Sequence, residues 1–112
     1  MKLTAEKIAD VVVVTVHAVA LDAANSDEFK REIAPAFGEL HRVVLDFGEV
    51  RFVDSSGLGA VLSTLRQLTG RGGDLKICNV SKPVRVIFEL VRFHRILDIL
   101  NSREEALRAF QA

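Results

Sequence analysis

The chain has 112 residues, 49% of them apolar, with two prolines and one cysteine, which suits one compact globular domain (residues 1–112) and argues against disorder. Fifteen cations balance fifteen anions, yet residues 1–56 carry six Lys plus Arg against ten Asp plus Glu, and residues 57–112 carry nine against five. That asymmetry permits a polar partner surface, but the cations are interspersed with acids and form no basic tail, so it is not a nucleic-acid footprint.

The first residues, Met1 to Lys7, lack an apolar core of signal-peptide length, and the run Val11 to Val14 is far too short to cross a bilayer. The expectation is a soluble, cytoplasmic protein without membrane insertion. A lone Cys78 can form no internal disulfide, which fits a reducing compartment.

Leu3 to Ile8 and Val11 to Val16 are β-prone runs joined at Ala9-Asp10, a hairpin joint without the preferred Asn-Gly or Asp-Gly pair. Asn25 and Ser26 stand at helix-cap positions with Asp27 and Glu28 in the first turn, and Phe29, Ile33, Phe37 and Leu40 recur at helical spacing. Pro35 predicts a bend or a new start in that helix. Val43 to Phe47 reads as a central strand covered on both faces. From Leu58, apolar residues fall at 58, 61, 62, 65 and 68, a helical stripe that Gly70-Arg71-Gly72-Gly73 ends. Leu75 to Val80 is a strand, and Ser81-Lys82-Pro83 opens a helix with Val84, Ile87, Phe88 and Val91 facing inward. Ile96 to Leu100 forms a last short strand, and Ser102-Arg103-Glu104-Glu105 reads as a capping box before a final helix. Strands alternating with helices predict an α/β fold, a mixed, mostly parallel sheet with an antiparallel N-terminal hairpin, packed against about four helices.

The strongest constellation is Asp54-Ser55-Ser56-Gly57-Leu58-Gly59 at a strand-to-helix junction. Local physics has Ser55 or Ser56 capping the helix, with the glycines allowing a tight turn and close packing. The same position suits a switch, because a helix N-terminus carries partial positive charge and free N–H donors, so the fold tolerates a phosphoryl group there. Such a group adds roughly −1.5 to −2 charges, enough to repel a partner while leaving the domain folded. Capping and switching are compatible.

Other candidates are weaker. The Gly70 to Gly73 loop lacks a P-loop ending. Val53 replaces the first glycine of a nucleophile elbow, so a hydrolase is improbable. His17, His41 and His94 show no ligand spacing with each other or with Cys78, which reads as a small buried strand residue. Arg85, Arg92 and Arg95 suggest an RNA-binding edge, but without Trp or Tyr to stack bases they read as solvated helix-face charges.

Taken together, Leu21-Asp22, Val43-Val44-Leu45-Asp46, Phe52-Val53-Asp54-Ser55-Ser56-Gly57-Leu58-Gly59, Gly72-Gly73-Asp74-Leu75, and Phe88-Glu89-Leu90 through Ile96-Leu97 resemble the STAS-domain anti-sigma factor antagonists over essentially the whole chain. The Asp-Ser-Ser-Gly-Leu-Gly block is the most specific part. The resemblance implies a STAS-like fold and a non-enzymatic partner switch. The unphosphorylated form binds an anti-sigma factor that is also an ATP-dependent serine kinase and releases its held target. Phosphorylation at Ser55 ends that binding, and a PP2C-type phosphatase restores it. Ser56 matches a neighbouring hydroxyl position that is not usually the acceptor. The implied partner-binding residues are Asp22, Asp54, Ser56, Gly57 and Leu58. This chain holds no cofactor; ATP belongs to the kinase and the divalent metal to the phosphatase. Family members commonly carry a glycine and an acidic residue where this chain has Val19 and Ala20, so the turn beside the partner surface is shaped differently. The alternative from the same fold is a constitutive accessory subunit of a transporter ATPase or sensory complex, in which the serine is only a cap or a contact.

Overall fold

The computed structural model describes residues 1–111. Five strands form one mixed sheet in the order β1 (Lys2–Ile8), β2 (Val11–His17), β4 (Arg42–Asp46), β6 (Asp74–Cys78) and β7 (Asp98–Leu100). Strands β1 and β2 are antiparallel, with Ile8 opposite Val11, whereas the remaining pairs are parallel, with Val13 beside Val44, Val44 beside Lys76 and Ile77 beside Ile99. Ala9 makes the hairpin turn with a positive φ of 56°, a region that glycine enters at lower cost. The α/β architecture and the N-terminal hairpin agree with the alternation read along the chain.

The valine runs follow from burial on two faces. Val12, Val14, Val16, Val43, Leu45, Leu75 and Ile77 share one core with Phe29, Ile33 and Phe37 of α1 (Ser26–Phe37), Val61 and Leu68 of α2 (Ser55–Thr69), and Val84 and Phe88 of α3 (Lys82–Leu90). On the reverse face, Val11, Val13, Val44 and Cys78 meet Ala106 of α4 (Arg103–Gln111), with Leu107 and Phe110 beside it. Period-two alternation sends successive strand residues to opposite faces, so strands covered on both sides are apolar throughout.

Several boundaries differ from the sequence expectation. Two short strands, β3 (Ala20–Leu21) and β5 (Phe52–Val53), pair in parallel outside the main sheet. At two residues each they are too short to show a hydrophobic period. Pro35 does not divide α1: it sits in the last turn, the helix stops at Phe37, and Gly38 follows at φ 55°. The last strand shortens to Asp98–Leu100 because Phe93–Arg95 forms a 3-10 turn. Val91 is 49% exposed rather than inward, since α3 ends at Leu90 and the chain turns away through Arg92 at φ 61°.

The α4 face is also tied by charge. Arg103 reaches Glu6 at 3.1 Å and Asp46 at 3.2 Å, and buried Lys76 pairs with Asp98 at 2.7 Å and Asp74 at 3.3 Å while facing the Phe110 ring. At the α4 entry, Ser102 Oγ accepts the Glu105 N–H and Glu105 Oε2 accepts the Asn101 N–H. This is a capping box shifted one residue outward. Among the described residues, no helix is long and apolar enough to cross a membrane.

Candidate functional site

The β3–β5 pair brings two chain segments side by side and then releases them at one edge. Leu21 is paired with Val53. Beyond Leu21 the chain enters the 22–25 turn, and beyond Val53 it enters Asp54 and helix α2. The Asp54 N–H donates to Leu21 O at 3.3 Å, so the two exits begin already joined.

Asp54, not either serine, caps α2. Its Oδ1 accepts the Gly57 N–H at 3.0 Å, and its Oδ2 accepts the Ala23 N–H at 3.0 Å. One carboxylate therefore satisfies a free donor of the helix start and binds the neighbouring turn. The Gly57 N–H leads, with the Ala23 N–H assisting, in holding the Asp54 carboxyl below the usual range against an opposing effect of burial. Inside the 22–25 turn, Asp22 Oδ1 accepts the Ala24 N–H, Asn25 Oδ1 accepts the Asp22 N–H, and Asn25 Nδ2 donates to Ala20 O. Asn25 spends its side chain on this turn and gives α1 no side-chain cap.

Relieved of capping, Ser55 and Ser56 occupy the first two positions of α2 with both side chains exposed. Gly57 is buried: a Cβ placed there would stand 2.1 Å from Leu21 O, and this close approach lets the helix start lie against β3. Leu58 is half-buried, and the buried face of α2 runs through Gly57, Ala60, Val61, Thr64, Leu65 and Leu68. The stripe through Leu58 and Leu62 is thus the margin of that face. Asp22, half-buried, stands on the segment that Asp54 tethers. Asp22, Asp54, Ser55 and Ser56 are consequently gathered at one edge, whereas Gly57 lies beneath it.

Two exposed apolar residues border this edge: Val19, in the turn already expected beside the partner surface, and Phe52, whose exposure the sequence reading missed. Val19 is 70% and Phe52 50% exposed, and Val19 O accepts the N–H groups of Arg51 and Phe52. The signal for Phe52 lay in its neighbours: an apolar residue beside inward Val53 in extended chain points the other way.

A recess lined by Ile8, Val11, Arg42, Leu107 and Phe110 lies at the other ends of the strands. Among the described residues, no group of three or more His, Cys, Asp and Glu side chains is arranged to hold a metal ion. His17 bonds Glu49 at 2.7 Å and Thr4 at 2.8 Å. Cys78 is buried, and burial first, with Asp46 adding to it, pushes its thiol up to about 12.

Asp22, Asp54, Ser55 and Ser56 thus give this α/β domain an acidic, hydroxyl-bearing edge where β3 and β5 part. The chain is a member of the STAS domain family, whose model matches residues 2–106. Two similar proteins bear the name "putative anti-sigma factor antagonist". BtrV of Bordetella bronchiseptica is 37% identical, covering 99% of this chain and 96% of its own length. A solved structure from Thermotoga maritima is 21% identical, with a TM-score of 0.89, 98% of this chain covered and 95% of that one. The Bacillus anti-sigma factor antagonist SpoIIAA matches in its unphosphorylated form (TM-score 0.69, 23% identity, 99% of each chain) and in its phosphorylated form (0.70, 24%, covering 97% and 99%).

Proposed function

We propose that this chain is an anti-sigma factor antagonist that acts by binding rather than catalysis, with Ser55 as the phosphate acceptor that switches the binding off. The observation that carries the reading is the cap: because Asp54 takes that duty, the Ser55 hydroxyl is exposed at the first helical position and free to be modified. The names of BtrV and SpoIIAA support the antagonist role. The partner is an anti-sigma factor with ATP-dependent serine kinase activity in the cytoplasm, and a PP2C-type phosphatase reverses the modification. Asp22, Asp54, Ser56 and Leu58 frame the contact, while Gly57 shapes it from below.

The electrostatics give the switch its direction. Asp54 is already ionised at neutral pH. A phosphoryl group on the next residue places roughly two more negative charges beside it. Helix-start N–H groups offset that charge within the domain, but a partner that docks against the edge meets it directly. The fold survives and the complex does not.

Incubating the chain with ATP and the anti-sigma factor kinase that co-purifies with it, followed by site mapping, should yield a single phosphate on Ser55. Ser55→Ala should keep binding the kinase in the presence of ATP. Ser55→Asp should bind at least about tenfold more weakly, a change of about 1.4 kcal/mol. Absence of phosphate together with unchanged affinity in Ser55→Asp would sink the switch and leave a constitutive binding module.

A further inference from the structure

Helix α3 and the 3-10 turn after it are apolar on two sides. Val84 and Phe88 fill the core, yet Val86, Leu90, Val91 and Ile96 remain 56, 78, 49 and 50% exposed. Lys82, Arg85, Arg92 and Arg95 lie in the same stretch with one exposed carboxylate, Glu89, and among the described residues none of the four cations is in an ion pair. Arg85 makes only a 3.4 Å bond to Asn101 Oδ1. Arg92 also holds φ 61°, left-handed backbone that glycine occupies more cheaply. Aliphatic exposure, unpaired cations and a strained arginine coincide within fifteen residues.

We propose that this face is a second docking surface, chemically distinct from the Ser55 edge, for an acidic protein segment carrying an aliphatic ridge between carboxylates. Charge complementarity selects that occupant. The Ser55 edge presents Asp22 and Asp54, so a segment matched to four cations is mismatched there. A second copy of the chain fits poorly. Like faces would set four cations and one carboxylate against the same set, and among the described residues the only other large apolar residues exposed are Val19 and Phe52. A lipid surface is the weaker match, because interfacial patches draw on exposed aromatics. The chain has no Trp or Tyr, and Phe88 and Phe93 are buried. This surface stands whether or not Ser55 is phosphorylated, and its test separates the two.

The probe is a helical peptide of about five turns with leucines at i, i+3 and i+4 spacing between glutamates, titrated into the isotope-labelled chain. A control peptide has lysines in place of the glutamates. Saturable amide shifts confined to residues 82–97 are expected, with affinity at least ~10-fold higher for the acidic peptide. The double variant Arg92→Glu, Arg95→Glu should weaken binding by at least ~10-fold, and Ser55→Asp by no more than about twofold. Arg92→Gly, which relieves the left-handed strain, should bind more weakly without a lower thermal midpoint. Equal binding of both peptides, shifts elsewhere or none at α3, loss of binding in Ser55→Asp, or capture by phosphatidylglycerol vesicles in preference to the acidic peptide would each overturn the assignment.

Discussion

A single carboxylate organises the edge that carries Ser55. The Asp54 side chain ties Gly57 of α2 to Ala23 of the adjoining turn, so Asp54→Ala should free both N–H groups at once. Amide exchange at Ala23 and Gly57 should accelerate together, and the thermal midpoint should fall. Asp54→Asn supplies only one acceptor oxygen and should protect one of the two amides. Because the folded pKa of Asp54 is lowered, with the Gly57 N–H as its leading cause, its contribution is intact above the unfolded value of roughly 3.9 and is lost as pH falls through the folded value. The acid limb of a urea-midpoint profile should therefore be flatter in Asp54→Asn than in the parent. This residue also marks a limit of the sequence reading. Asp54, Ser55 and Ser56 are all good cap residues, and only the contact with Ala23, thirty-one positions away, favours the aspartate. The junction and its hydroxyls were legible from the order of residues; the division of labour among them was not, because it depends on a tertiary bond.

At the scale of the element, the two glycines of the Asp-Ser-Ser-Gly-Leu-Gly block have opposite roles. Gly57 faces Leu21 O at a distance that admits no Cβ, whereas a Cβ at Gly59 would meet nothing within 4 Å. Gly57→Ala should destabilise the fold by about 3 kcal/mol, through backbone displacement at the α2 start. Gly59→Ala should stabilise it by about 1 kcal/mol, by restoring helix propensity at an exposed position. Urea unfolding of the two variants measures both. Their shared sequence context hides this difference, since spacing reveals a turn but not which Cβ vector meets a neighbour. The same limit explains Val91: helical spacing predicts an inward residue, but α3 ends before it and the turn at Arg92 points it to solvent.

For the molecule as a whole, the alternation of strands and helices and the uninterrupted valines disclosed the layered architecture, since burial on both faces leaves no polar period. The polar tie across the reverse face was invisible, because Arg103 finds Glu6 ninety-seven residues away. Helix α4 covers that face, over the small cluster of Val11, Val13, Val44 and Cys78. Arg103→Ala removes the cation beside buried Asp46 and should cost about 1–3 kcal/mol in urea unfolding. Loosening of α4 should also expose Cys78 to thiol labelling, against the opposing loss of the Arg103 charge, which lowers the pKa of a thiol that burial pushes up to about 12. On the opposite side of the fold, β3 and β5 are held together through backbone N–H and C=O groups, and Val19 O anchors both Arg51 and Phe52. Main-chain bonds are indifferent to the side chains they carry. Positions 19, 20 and 52 can therefore change side chain, and with it the apolar border of the edge, while the backbone that sets Ser55 in place is kept.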